Sequence, residues 1–158
     1  MSAQQANKVT TVLWFKDNAK SAAEYYCEVI PGTEIVELAP GPDGEIVVAT
    51  ISIFGTEYLL MNGGDTYKLS PAISLMIHCD TQDEIDHLWS KLGEGGEYLY
   101  CGWLTDQFGL TWQITPNLWW QLTQKANPAQ KEALWTSMME SQKLVIADLQ
   151  AAFDCAPA

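Results

Sequence analysis

Basic side chains are scarce in this chain. Eight lysine or arginine residues stand against twenty acidic ones, a net charge of −12. That balance disfavours nucleic acid and anionic membrane surfaces as partners. Met1–Lys8 has no basic flank leading into an apolar run, and no later stretch approaches the roughly 18 apolar residues of a membrane span. The cytoplasm is therefore the expected compartment. The four cysteines, Cys27, Cys79, Cys101 and Cys155, form no CxxC and no paired spacing, which argues against a zinc knuckle or a redox motif. They read as small apolar side chains, mostly buried, with Cys155 the most exposed and the most easily oxidised.

Catalytic signatures are also missing. There is no G-x-S-x-G elbow and no cysteine–histidine family signature. No glycine-rich loop joins a strand to a helix as a doubly wound sheet would need for S-adenosylmethionine. Gly93–Gly96 is glycine-rich, but Glu94 and Glu97 would repel phosphates, and the stretch runs into a strand. Methyl transfer is set aside on these grounds.

What is present is a chain of 158 residues, one domain by size and long enough to bury a core without staples. Val9–Lys16 reads as a buried strand ended by Asp17-Asn18, either of which can cap the helix that follows. Ala22, Tyr25, Tyr26 and Val29 mark that helix's apolar stripe, and Pro31-Gly32 stops it. Thr33–Leu38 is a strand, Ala39–Gly44 a Pro/Gly loop, Glu45–Phe54 a long β-branched strand, and Thr56–Met61 a fourth strand after the turn at Gly55. The order βαβββ then begins again. Ile73–Cys79 is a strand, and Thr81–Leu92 is a helix whose Thr81 and Glu84 form a capping box, with Ile85, Leu88, Trp89 and Leu92 as its stripe. Asp80, Asp83, Glu84 and Asp86 give it a solvated acidic start that the helix dipole favours. Glu97–Leu104 and Leu110–Thr115 complete the unit as strands.

The two units keep a common register. An offset of 63 carries Asp17 onto Asp80 and Thr33-Glu34 onto Gly96-Glu97. Phe54-Gly55 and Phe108-Gly109 then correspond, the first unit being about nine residues longer because of its Pro/Gly loop. After Pro116, Asn117–Gln124 holds Leu118, Trp119 and Trp120, and Asn127-Pro128 is a helix start. Nothing from Pro128 to Phe153 breaks a helix, so one long helix on the order of 39 Å is expected at about 1.5 Å per residue, with Leu134, Met138, Val145, Leu149 and Ala152 on one face. It either packs on its own sheet, or crosses to a partner subunit or caps a cavity. Trp119, Trp120 and Trp135 exceed what a small domain can bury alone, which favours a dimer.

Cys101–Pro116, CGWLTDQFGLTWQITP, reads as a strand, a tight turn at Phe108-Gly109, and a second strand carrying Trp112 and Gln113. Its D-x-x-G-x-x-W-Q-x-x-P spacing, Asp106 to Pro116, resembles the 3-demethylubiquinone-9 3-methyltransferase-like (PhnB-like) branch of the vicinal oxygen chelate superfamily, the glyoxalase, bleomycin-resistance and extradiol dioxygenase fold. The resemblance covers about Val9–Pro116 and extends to the tail. It implies an α+β fold of two βαβββ units (residues 9–64 and 72–116), whose curled mixed sheets surround a cavity within a single domain. Residues 117–158 follow as a C-terminal helical extension. In short members of the superfamily the units often pair across a homodimer.

Metal enzymes of the superfamily hold a divalent ion with four His, Glu or Gln side chains. The resemblance carries those positions onto Thr10, Leu59, Ser74 and Gln113. Hydroxyl and amide groups donate weakly to such ions and leucine not at all, so no metal and no cofactor are expected. Strand parity adds Met76 and His78 to the face of Ser74, and Glu57 to that of Leu59. His78 near its strand end reads as a hydrogen-bonded wall residue, and His87 as solvated. Trp14 shares parity with Thr10, and Trp103 and Gln107 lie near the turn before the last strand. These ten residues make up the expected ligand-binding set, with Gln113 at its centre. The expected function is a metal-free homodimer that binds a small aromatic or amphipathic molecule. The alternatives are an enzyme using Glu57 or His78 as acid or base, and a structural or regulatory dimer.

Overall fold

A computed structural model describes residues 9–157; the first eight residues, read above as lacking a leader, lie outside that range. The described residues form two compact units, divided between Leu69 and Ser70.

In the first unit, β1 (Thr11–Phe15), α1 (Ala19–Val29), β2 (Thr33–Pro40), β3 (Ile46–Ile53) and β4 (Thr56–Asn62) form a sheet in the order β1-β4-β3-β2. β1 runs parallel to β4, and the other pairs are antiparallel. Alternation sends Leu13, Phe15, Ala49, Ile51, Ile53 and Leu60 into a core shared with Ala19, Ala22, Ala23, Tyr26 and Val29 of α1. Capping differs from the sequence expectation. Asn18 sits at the N-cap without a side-chain bond, and Asn62, at the end of β4, accepts from Ala19 N at 2.8 Å. The amide of Asn62 also donates to Ile46 O, so a distant residue serves two strands and the helix start. β2 runs to Pro40, into the stretch expected to be loop, because its pairing with β3 continues past a bulge between Ile35 and Glu37.

In the second unit, β5 (Ser74–Cys79), α2 (Gln82–Gly93), β6 (Glu97–Tyr98), β7 (Trp103–Thr105) and β8 (Thr111–Pro116) repeat the βαβββ order, and the sheet runs β5-β8-β7-β6. β5 and β8 are parallel, β8 with β7 and β7 with β6 antiparallel. The capping box at Thr81 and Glu84 forms as expected. Ile77, Leu104, Trp112 and Ile114 meet Ile85, Leu88 and Leu92 of α2 in the core. Trp89 lies half-buried at its edge, stacked on Tyr98 at 4.9 Å.

Two sequence expectations need correction here. Glu97–Leu104 is two strands, because Cys101 (φ 62) and Gly102 (φ 76) turn the backbone between them. That split gives the second unit its full complement of strands. The tail is three helices: α3 (Asn117–Lys125), α4 (Pro128–Glu140) and α5 (Ile146–Cys155). Asn127 caps α4 with a box to Gln130, as its Asn-Pro start implies. The break between α4 and α5 comes from tertiary partners. Ser141 O and Gln142 O accept from the backbone N–H groups of Cys101 and Gly102, both at 2.7 Å, and Leu144 is buried. Gln82 of α2 donates to Leu144 O and accepts from Ile146 N at 2.8 Å. Trp119, Leu122, Leu134, Met138, Leu144 and Leu149 form a second core under these helices.

Candidate functional site

The site lies on the second sheet, on the face turned away from α2. Strand pairing sets Ser74, Met76 and His78 opposite Thr111, Gln113 and Thr115, and Trp103 beside Gln113. Because side chains alternate, the residues between them fill the α2 core and these are left for the other face. α3 starts directly after β8 and α4 turns back, so the tail reaches this face. The hairpin between β6 and β7 closes a third side, held by its hydrogen bonds to Ser141 and Gln142.

Together they enclose a cavity of about 460 Å³. The sheet contributes Met76, Trp103, Gln113 and Thr115, and the hairpin Leu99, Tyr100 and Cys101. The tail contributes Trp119, Trp120, Trp135, Met138 and Met139. No charged side chain is among them. The size and the apolar, aromatic lining with a few polar groups match a small-molecule pocket.

Its polar geometry is specific. Gln113 Nε2 donates to Ser74 Oγ at 2.7 Å, which orients the amide and leaves its carbonyl as an acceptor. Trp120 Nε1 donates to His78 Nδ1 at 3.2 Å, so His78 fixes a cavity wall from behind. Trp119 and Trp135 meet edge to face, centroids 5.1 Å apart and planes at 82°. At the rim the Cys101 thiol donates to Met139 Sδ at 3.4 Å.

The turn that launches β8 explains the D-x-x-G-x-x-W spacing. Asp106 is 3% exposed, and its Oδ1 accepts from Phe108 N at 2.8 Å and Leu110 N at 3.1 Å. Its Oδ2 accepts from Trp112 Nε1 at 2.8 Å. Gly109, at φ 90, completes the turn. One carboxylate thus fixes the turn, the strand and the core indole, and with them the direction in which Gln113 points.

Of the ten sequence-derived site residues, Met76, Trp103 and Gln113 line this cavity, and Ser74 and His78 bond directly to residues that do. Gln107 is exposed in the turn, packed near Gly95. Thr10, Trp14, Glu57 and Leu59 belong to the first unit. There Trp14 Nε1 donates to Gly64 O at 2.9 Å, and its ring covers Gly63 so closely that a Cβ would lie 2.3 Å from it. Leu59 pairs with Val12, while Thr10 and Glu57 are exposed. The other nine lining residues were not among those ten: Thr115 of β8, Leu99, Tyr100 and Cys101 of the hairpin, and the tail's five. The hairpin positions depend on a turn shared by Gly102 and Cys101, and the left-handed backbone of Cys101, a non-glycine residue, has no mark in the sequence.

The four positions that the resemblance to the superfamily's metal enzymes carries onto this chain, Thr10, Leu59, Ser74 and Gln113, make a donor set that does not fit a divalent ion. Ser74 and Gln113 satisfy one another, and Leu59 offers no lone pair. Among the described residues, no group of three or more His, Cys, Asp or Glu side chains is placed to hold a metal ion. Nor, among them, is any helix long and apolar enough to cross a membrane.

Comparisons with known proteins agree on the architecture. The model of the 3-demethylubiquinone-9 3-methyltransferase family matches residues 7–115. The chain is similar to the PhnB protein of Bacillus cereus at 29% identity, over 70% of this chain and 99% of that one, with a TM-score of 0.65. PA1353 of Pseudomonas aeruginosa shares 19% identity over 70% and 98% of the two chains, TM-score 0.58. The fosfomycin resistance protein FosX of Listeria monocytogenes shares 14% over 72% and 93%, TM-score 0.53. The last two likenesses show the fold alone. No curated protein matches the chain. The family match stops at Thr115, within β8, and α3–α5 lie outside it. The paired βαβββ units and the Asp106–Pro116 stretch have their explanation in this match: the chain belongs to the 3-demethylubiquinone-9 3-methyltransferase (PhnB-like) family, of the vicinal oxygen chelate fold.

Proposed function

We propose that this protein is a metal-free, cytoplasmic homodimer that binds a small aromatic or amphipathic molecule in the second unit's cavity. The observation that carries this reading is the cavity itself: about 460 Å³, walled by indole rings and thioethers around one oriented amide. Aromatic walls supply affinity, and Gln113 supplies direction through a hydrogen bond. The metal-free part rests on the donor set, in which a hydroxyl and an amide occupy each other. The sheets are mixed and four-stranded, and neither offers the glycine-rich strand-to-helix turn of a doubly wound cofactor site, which supports a role other than S-adenosylmethionine chemistry. His78 supports a binder over an acid–base enzyme, since its Nδ1 is occupied by Trp120.

The dimer draws support from the cavity rim. Tyr100, Trp120, Trp135 and Met139 are 60%, 44%, 54% and 59% exposed, an apolar surface that a second copy would cover. Native mass spectrometry of the purified protein, with metal analysis on the same sample, tests the reading. A dimer without stoichiometric metal is expected, and surviving extra mass would give the ligand's class. A monomer at micromolar concentration would refute the dimer, and one tightly held transition metal per chain would refute the metal-free site.

A further inference from the structure

Resting on that reading, we infer that the cavity's ligand is a cation: a quaternary ammonium or a planar aromatic cation. Three independent features lead to this class. The first is the number and setting of the rings. Trp103 comes from the sheet, Tyr100 from the hairpin, and Trp119, Trp120 and Trp135 from the tail, so aromatic surface meets the ligand from three different elements. The perpendicular packing of Trp119 and Trp135 prevents them from stacking flat on each other, and the bond from Trp120 to His78 holds a third ring in place. Indole faces set at fixed angles around one space attract cations through their quadrupoles, as aromatic cages do for choline-type groups.

The second feature is charge. From Ser70 onward there are eleven carboxylate residues and four lysines. None of the lysines lines the cavity. Lys143 is paired with Asp86 at 2.6 Å, and Lys125 lies 5.1 Å from the Phe153 ring centroid. The unit that carries the site is therefore net negative, which favours the approach of cations over that of carboxylates and phosphates. The third is the polar group. Ser74 takes an N–H of Gln113, and the amide's carbonyl oxygen is an acceptor that suits an N–H donor or the positive end of a ligand. Three thioethers, Met76, Met138 and Met139, add a polarizable and adaptable surface. Five of the lining residues belong to the tail beyond Thr115, so this selectivity is built largely by the segment outside the family match.

The test compares three probes of one shape by tryptophan fluorescence and indole N–H signals in NMR: phenyltrimethylammonium, its uncharged carbon isostere tert-butylbenzene, and benzenesulfonate. The expected result is that the cation binds about tenfold or more tighter than the isostere, that the anion binds weakest, and that the cation's advantage persists in 0.5 M NaCl. Trp135→Leu, which replaces an indole face with an aliphatic side chain, should weaken all three probes and bring the cation and the isostere to within about twofold of each other. Trp120→Leu provides the same readout if Trp135→Leu does not fold. If the isostere binds as tightly as the cation, or if salt removes the difference, the cation inference is overturned while the binding function stands. If no probe binds, both fall.

Discussion

The Asp106 carboxylate accepts the indole N–H of Trp112 across six residues at 2.8 Å, and the same carboxylate holds two backbone N–H groups of the intervening turn. A buried acceptor that serves three donors cannot be removed without leaving several of them unpaired. Asp106→Ala is expected to destabilise the protein by about 3 kcal/mol. Trp112→Phe, which keeps most of the ring volume, should cost less. Urea midpoints of both variants check this, and a loss under about 1 kcal/mol for Asp106→Ala would mean the turn stands without its carboxylate.

Gln113 has a different role, because its partner is an alcohol oxygen that can accept from another donor or from water. Gln113→Leu should leave the melting temperature nearly unchanged and weaken ligand binding about tenfold, the worth of about one oriented hydrogen bond. An unchanged affinity would remove Gln113 from the site.

α2 and the tail are joined by Gln82, which donates to Leu144 O and accepts from Ile146 N. Gln82→Ala should cost about 1–2 kcal/mol and speed hydrogen exchange at Ile146. If exchange there is unaltered, the contact contributes nothing in solution. Asp86, beside it, is held below the usual carboxylate range by its hydrogen bonds to Lys143 and Gln82. Its contribution is present above the unfolded carboxylate value and is lost as pH falls through the lowered folded one. Asp86→Asn should flatten the acid side of the stability curve.

Burial pushes the Cys79 thiol up to about 12, with Glu84 and Asp80 adding to the effect. A thiol that ionises more easily unfolded than folded costs stability as pH rises, so the loss should run from about 8.5 toward the folded value. Cys79→Ala should remove that part of the alkaline slope. A disulfide reagent at pH 8 should label the exposed Cys155 first and Cys79 only on unfolding. Prompt labelling of Cys79 in the folded protein would contradict its burial.

What could be read in advance divides along locality. The capping box at Thr81, the Asn127-Pro128 helix start, the stripe of α2 and the offset of 63 residues are signals carried within a few neighbouring side chains or between equivalent ones, and they survive folding. The parity that grouped Ser74, Met76 and His78 also survives, because a strand's alternation is fixed by its own backbone. The break at Ser141 has no such local mark. Its residues would continue a helix if hairpin N–H groups and a core position for Leu144 did not claim them first. Likewise Asp106 announces itself in a recurring spacing, but its partners are known only once the turn is closed. The tail's tryptophans stood out by number alone, and their role depends on α3 folding back over the sheet from Pro116.

The short connection at Ser141–Val145 joins two walls of the cavity. It ends α4, which carries Trp135, Met138 and Met139, and its carbonyls grip the hairpin that carries Tyr100 and Cys101. The separation of those walls is thus set by main-chain bonds that no side-chain substitution in the lining removes. The cavity behaves as a frame of fixed span with interchangeable panels: its rings can be exchanged to retune what it accepts, while its width stays the same.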